Sequence, residues 1–244
     1  MPGTPHPASS PTPFIRVEQL TKCFGQDESR VTVLSEVTLS LYRGEICVLL
    51  GPSGSGKSTF LNLVGGLEPA EAGTIEVNGE EVTALAGRRL VAYRRRELGF
   101  VFQFYNLIPD LTVRENIEAC ACLVPDPLDV DELLRGLGLW GHRDKLPRQV
   151  SGGQQQRCAI GRALVKKPGL LLCDEPTGAL DYETSKEVLG VLERVNREHG
   201  CTTVIVTHND AIGRMAHRIL RLRDGRLVQD VVNERPVPAA ELEW

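Results

Sequence analysis

No feature limits the fold of this chain more than the stretch Gly51-Pro52-Ser53-Gly54-Ser55-Gly56-Lys57-Ser58. It follows the apolar run Ile46-Cys47-Val48-Leu49-Leu50 and leads into Thr59-Phe60-Leu61-Asn62-Leu63-Val64. Strand, glycine-rich turn and helix form the context in which GxxxxGK[ST] cradles phosphate. Glycines let backbone N–H groups face an anion without Cβ interference, and the new helix turns its positive end to the same spot. Lys57 is then expected to reach the β- and γ-phosphates, and the Ser58 hydroxyl to help hold Mg²⁺. A chain built this way binds a nucleoside triphosphate.

The remaining bulk properties exclude more than they suggest. A chain of 244 residues buries one good core with room for an inserted subdomain. A net charge of −4 and a pI near 5.8 argue against a nucleic-acid surface. The cluster Arg94-Arg95-Arg96 reads as a solvated helix face. No apolar stretch approaches the roughly 18 residues of a transmembrane helix, and prolines stand where a signal peptide needs a hydrophobic run. Any membrane role is therefore expected to come through a partner. Of seven cysteines, Cys47, Cys158, Cys173 and Cys201 sit in or beside apolar runs or glycine-rich helix starts. Cys120 and Cys122 form the only close pair, without a second pair at metal-ligand spacing, so reduced thiols in a cytosolic protein are expected.

Along the chain, residues 1–13 carry five prolines and read as a disordered tail. Residues 14–20 alternate as a strand, and 31–34 and 37–41 read as two further antiparallel strands. The core strand 46–50 and the phosphate-loop helix follow, ending near Gly65-Gly66. Residues 73–79 form a strand closed by an Asn-Gly turn, 84–97 a helix, and 99–102 a short strand. From 112 to about 165 the pattern is mostly helical, with a capping box at Thr112-Val113-Arg114-Glu115, periodicity over 129–137 and a helix over 154–165. A buried parallel strand at 170–173, a helix over 183–198, a strand over 202–206, a short helix near 210–216 and a hairpin at Asp224-Gly225 complete the core. The tail 233–244 reads as loosely ordered, with Leu242 and Trp244 able to dock. The expected domains are thus a tail (1–13), one α/β unit (14–232) with a helical insertion at about 103–168, and a C-terminal tail (233–244).

Two further stretches carry chemistry. The run Leu170-Leu171-Leu172-Cys173 delivers adjacent carboxylates, Asp174 and Glu175, at a strand end. Asp174 can serve Mg²⁺ while Glu175 orients and deprotonates an attacking water. Ser151-Gly152-Gly153-Gln154 at a helix start is a second anion-binding element made of backbone N–H groups. Two phosphate cradles in one small domain make sense when the second serves the nucleotide of another copy.

With these residues in view, the chain resembles the nucleotide-binding subunit of an ABC transporter over about residues 14–230. The resemblance implies the α/β P-loop NTPase cassette: a mixed-sheet core, an antiparallel β subdomain and a helical insertion. It implies ATP and Mg²⁺ as ligands, a homodimer through an ATP sandwich, and ATP hydrolysis coupled to transport. Gly51 through Thr59 (Gly51, Pro52, Ser53, Gly54, Ser55, Gly56, Lys57, Ser58 and Thr59) match the Walker A loop. Gln103 matches the Q-loop glutamine that touches Mg²⁺ and senses the permease. Ser151, Gly152, Gly153 and Gln154 match the signature that caps the partner's ATP. Asp174 and Glu175 match the Walker B aspartate and catalytic glutamate, Asp181 lies in the D-loop match Gly178-Ala179-Leu180-Asp181, and His208 matches the switch histidine. Phe24 matches the aromatic that stacks on adenine, against the reading of a core aromatic. Departures are Val150 for leucine before the signature serine, Cys173 for alanine before Asp174, and Gly178 for a frequent serine. His6, His142, His199 and His217 have no evident chemical partner.

Within the superfamily, the run from Phe102 to Asn116 and Pro176-Thr177-Gly178-Ala179-Leu180-Asp181 resemble the group of lipoprotein-release (LolD), macrolide-export (MacB) and cell-division (FtsE) ATPases. That group implies integral membrane permease subunits as partners, no nucleic acid, and a cytoplasmic position peripheral to the inner face of the cell membrane. The expected task is powering a mechanotransmission permease for lipoprotein release or export of hydrophobic compounds. Two alternatives stand beside it. One is an FtsE-like regulator of cell-wall hydrolysis without transport. The other is a soluble ABC ATPase, disfavoured by the acidic charge and the short interval between Lys57 and Val150.

Overall fold

The computed structural model describes residues 12–244. All but the last two residues of the proline-rich tail lie outside that range. Two sheets carry the architecture. The larger has six strands in the order β10-β9-β3-β8-β7-β6. Its members are β3 (Ile46–Leu50), β6 (Leu98–Val101), β7 (Leu170–Asp174), β8 (Thr202–Thr207), β9 (Arg218–Arg223) and β10 (Arg226–Val232). All neighbours in it are parallel except the β9–β10 hairpin. The smaller sheet is antiparallel in the order β2-β1-β4-β5, with β1 (Ile15–Phe24), β2 (Val31–Leu41), β4 (Ala72–Val77) and β5 (Glu80–Glu81).

The continuous apolar runs are explained by burial on both faces of the large sheet. Along β3, Ile46, Val48 and Leu50 enter one core while Cys47 and Leu49 enter the other. The strand β7 divides likewise: Leu171 and Cys173 to the first, Leu170 and Leu172 to the second. The first core is closed by α3 (Val113–Ala121), α4 (Val130–Gly136), α5 (Gly152–Leu164) and α6 (Tyr182–His199). The small sheet, with α1 (Lys57–Val64) and α2 (Gly87–Glu97), closes the second.

Several expectations are corrected in detail. Residues 31–34 and 37–41 are one strand, β2, not two. Leu34 and Val37 are both buried although three residues apart, which simple alternation forbids. A bulge restores the phase: Glu36 sits at φ 52 and its N–H donates to Thr21 Oγ1 at 3.2 Å. The opposite strand repeats the device at Gln19, φ 47, between buried Val17 and Leu20. The helix expected from 84 begins only at Gly87, after a 3₁₀ turn over Val82–Ala84, and the segment near 210 is a 3₁₀ turn, Asp210–Met215. The C-terminal tail is not loose. Ala239 and Leu242 are fully buried, Tyr182 Oη donates to the Leu242 carbonyl at 3.0 Å, and Trp244 packs edge-on against Tyr182.

The insertion behind β6 is three short helices held by polar anchors. Thr112 and Glu115 form the expected reciprocal cap on α3. Fully buried Asn116 accepts from Ile108 N at 2.8 Å and donates to the Leu111 and Thr112 carbonyls at 2.9 and 3.0 Å. One amide thus serves the backbone of the whole 108–112 turn. Replacing it by leucine strands an amide N–H and several carbonyls, at a cost of about 2–3 kcal/mol. Urea unfolding of Asn116→Leu is expected to show that loss as a lower midpoint with an unchanged slope.

Candidate functional site

The C-terminal ends of four adjacent parallel strands, β3, β8, β7 and β6, bring the predicted groups to one edge. In register, Leu50 lies beside Thr207, Val206 beside Asp174, and Cys173 beside Val101. The next residues along these strands are Gly51, His208, Glu175 and Phe102, with Gln103 one further. Ligands of open parallel sheets sit at this edge because the loops leave the strands there and the following helices point their N-termini at it.

A cavity of about 820 Å³ occupies this edge, and its walls include Pro52, Ser53, Gly54, Gly56, Lys57, Ser58, Thr59, Gln103, Glu175 and His208. The loop wraps tightly. Gly54 and Gly56 stand at φ 78 and 98, and a Cβ on Gly56 would meet the Val33 carbonyl at 2.8 Å. Lys57 folds its ammonium back onto the Gly51 and Pro52 carbonyls at 2.8 and 2.9 Å. Burial pulls the Lys57 pKa below its ordinary value, and the carboxylates of Glu175 and Asp174 work against that pull. The ammonium is therefore poised over the loop with a nearby negative charge to hold it in place.

Across the cavity, Ser58 Oγ donates to Asp174 Oδ1 at 2.9 Å. Burial lifts the Asp174 pKa above its ordinary value, with the Ser58 hydroxyl opposing the shift. Glu175 holds the left-handed backbone conformation, φ 45, just past the strand, a strained position for a residue with a Cβ. Its N–H still bonds the Val206 carbonyl at 2.9 Å, extending the β7–β8 ladder one step and fixing the carboxylate over the edge. Glu175 Oε1 lies 3.0 Å from His208 Nδ1, while Oε2 is buried without a hydrogen-bond partner among the described residues. Ser58 and Asp174 offer hard oxygens beside the loop, and Gln103 on the same cavity offers an amide oxygen, donors of the kind that suits Mg²⁺. No cluster of three or more His, Cys, Asp or Glu side chains fit for a metal occurs among the described residues.

Phe24 does not line this cavity. It is half-exposed at the end of β1, cross-strand from Val31, with Lys22 Nζ 4.8 Å above its ring. It is no core aromatic, and Val33 of the same strand pair does reach the cavity wall. Ser151, Gly152, Gly153 and Gln154 lie outside the cavity too. They start α5, where Ser151 Oγ accepts from Gln154 N at 3.3 Å and Gln154 Oε1 from Ser151 N at 3.0 Å. The helix therefore begins two residues before the expected 154. Asp181 caps α6 through Thr184 N at 3.0 Å, and that hydrogen bond holds its carboxyl below the ordinary range.

Some functional contacts escaped sequence reasoning. Gly178 leaves room for Gln103: a Cβ there would come within 3.0 Å of the glutamine amide nitrogen. The glycine that departs from the usual serine thus matches the glutamine it faces. His142, without a partner on paper, stands 3.1 Å from the Gln154 amide. Arg162 of α5 donates to the carbonyls of Tyr105 and Asn106, both left-handed, and so ties the segment after Gln103 to the Ser151 helix. His217 is structural, its Nδ1 accepting from Ile46 N at 2.9 Å. Four cysteines are buried and all seven are free; burial pushes the Cys158 and Cys201 thiols up to about 12, which keeps them inert. No helix among the described residues is long and apolar enough to cross a membrane.

Comparison with known proteins agrees with this geometry. The family described as "ABC transporter" matches residues 34–178. The lipoprotein-releasing system ATP-binding protein LolD of Geobacter metallireducens is 44% identical over 223 residues, 89% of this chain and 99% of that protein. The macrolide export ATP-binding/permease protein MacB of Marinobacter nauticus is 43% identical over 232 residues, 93% of this chain but 36% of that protein. A putative ABC transporter ATP-binding protein of Mycoplasma genitalium is 42% identical, with 46% of its length covered. The chain therefore spans less than half of some of the relatives it matches. Among solved structures, the dimeric cassette MJ0796 in a post-hydrolysis state with ADP and Pi superposes with a TM-score of 0.82, at 36% identity over 89% of this chain and 98% of that one.

Proposed function

This chain belongs to the ABC transporter family as one of its ATP-binding subunits, an ATPase on an α/β cassette, and from that premise we propose that it hydrolyses Mg-ATP between two copies of itself to drive a membrane permease. The observation that carries the reading is the meeting of Lys57, Ser58, Gln103, Glu175 and His208 on one cavity while Ser151 to Gln154 face elsewhere. A head-to-tail pair would set the second element over the first copy's nucleotide.

The geometry supports a role for each residue. The loop N–H groups of residues 53–58 take the β-phosphate, and Lys57 swings from its carbonyl partners to the phosphate oxygens. Glu175 draws the proton from the attacking water, and His208, 3.0 Å from that carboxylate, steadies it and meets the γ-phosphate. Ser58, Asp174 and Gln103 would hold Mg²⁺, which offsets charge on the phosphates as the bond breaks. Ser151 and the first N–H groups of α5 cap the partner copy's γ-phosphate, and Asp181 borders the same interface. Phe24 offers its exposed ring to adenine beside the loop. Closure then depends on the γ-phosphate, and its loss reopens the pair.

Gln103 and the helical insertion behind it would relay closure to a permease helix, placing the subunit peripherally on the membrane's inner face. Relatives named for lipoprotein release and macrolide export support a mechanotransmission permease, with lipoprotein extraction or export of a hydrophobic compound as its task. The test is capture. A tagged Glu175→Gln chain, solubilised from its own membranes with ATP, is expected to bring down a permease with a large extracytoplasmic domain. Recovery without any membrane partner would overturn the assignment.

A further inference from the structure

Helix α2 carries a charge that its surroundings do not answer. Its residues Gly87–Glu97 hold five arginines and one carboxylate, in a chain whose net charge is −4. Only Arg96 is neutralised, by Glu80 and Glu97. None of Arg88, Arg89, Arg94 and Arg95 has a carboxylate within ion-pair distance among the described residues, whereas Arg114, Arg157, Arg218 and Arg221 each hold one at short range. A third cation backs the same end of the helix: Lys166 Nζ donates to the Arg94 and Leu98 carbonyls at 3.2 and 2.7 Å.

The helix is also two-sided. Its inner face is fixed by buried Tyr93, whose hydroxyl donates to the Val64 carbonyl at 2.9 Å, and by Leu90 against Gly66. Its outer face is not simply polar. Val91 is 55% exposed and lies with Leu90 and Ala92 in a shallow depression rimmed by Arg88, Arg94 and Arg95. Arg88, Val91 and Arg95 fall on one stripe at helical spacing, about 10 Å long.

A merely solvated face has no use for an apolar floor among unpaired guanidiniums. Cations around a small apolar patch, here Val91 with Leu90 and Ala92, match the pattern of a helix lying in a membrane interface. We infer that the outer face of α2 rests on a surface of anionic lipid headgroups. Arg88, Arg89, Arg94 and Arg95 fork the phosphates, while Val91 and the arginine stems reach the glycerol level. A plane of phosphates meets all four cations without demanding a register, whereas an acidic polypeptide would have to match their fixed positions. The inference rests on the proposed function only in supposing a membrane within reach.

The test is flotation of the full chain with vesicles of phosphatidylcholine alone or mixed with phosphatidylglycerol, at low and high salt. The parent is expected to float with the acidic vesicles only and to release as salt screens the contact. The fourfold variant Arg88→Gln, Arg89→Gln, Arg94→Gln, Arg95→Gln is expected to lose binding by roughly several hundredfold, at about fivefold per arginine near the surface. A charge-matched control (Arg197→Gln, Arg214→Gln, Arg223→Gln, Arg235→Gln) is expected to float like the parent. Both variants should keep basal ATP hydrolysis. A parent indifferent to lipid charge, or two variants that weaken alike, would overturn the assignment. So would a fourfold variant that floats normally yet no longer binds native membranes, which would give this face to a protein partner. ATP hydrolysis is read separately, so failure to float with intact turnover counts against the lipid contact alone.

Discussion

Glu175→Gln is expected to lower ATP turnover roughly 10²–10⁴-fold, the usual worth of a positioned general base, while tightening the ATP-bound dimer. The substitution keeps shape and removes one charge and one basic site. Glutamine can hold the same strained backbone at φ 45, and its amide can still meet His208 Nδ1 where Oε1 now lies at 3.0 Å. Lys57 and Ser58 are untouched, so phosphate binding persists. Removing a carboxylate from the cavity also relieves its repulsion of the triphosphate, so the variant should hold ATP longer than the parent. Phosphate release gives the first quantity, and size exclusion with and without ATP gives the second. A variant that turns over at the parental rate would place the base elsewhere on this edge. One that fails to dimerise would separate hydrolysis from closure.

The parts legible in the sequence are those whose chemistry is contiguous. The phosphate loop spells out its own turn, and Leu170 to Asp174 announce a doubly buried strand that presents acids at its end. The cap at Thr112 and Glu115 is equally local. What stayed hidden depends on partners far along the chain. The bulge at Glu36 follows from the side chain of Thr21, fifteen residues away, so the strand reads as two when its own alternation is all there is to see. Where Leu242 docks depends on Tyr182, and the space at Gly178 needs Gln103. His142 offered no clue because its neighbour Gln154 is brought near only by the turns at 140–149. Long-range packing, not local propensity, decides all four.

The proposed composite site makes a sharper forecast than any single substitution. Lys57→Ala removes the cation that meets the phosphates. Ser151→Asp keeps a preferred helix cap on α5 but sets a carboxylate where the partner's γ-phosphate would lie. Each variant alone breaks both sites of its dimer, and each is expected to lose roughly 10²–10³-fold in turnover, as the removal of a preorganised charge contact does. Mixed in equal amounts, they form a dimer in which one site combines both lesions and the other combines none. Two-fold pairing of random mixtures then predicts recovery to about a quarter of parental activity when sites act independently. The reverse experiment fixes the geometry. With both substitutions in one chain and a parental partner, each site carries one lesion, so the mixed dimer stays silent and the excess of doubly substituted chain suppresses the parent. If each copy instead hydrolysed ATP with its own Ser151, the first mixture would remain as dead as its components and the second would leave the parent's activity untouched.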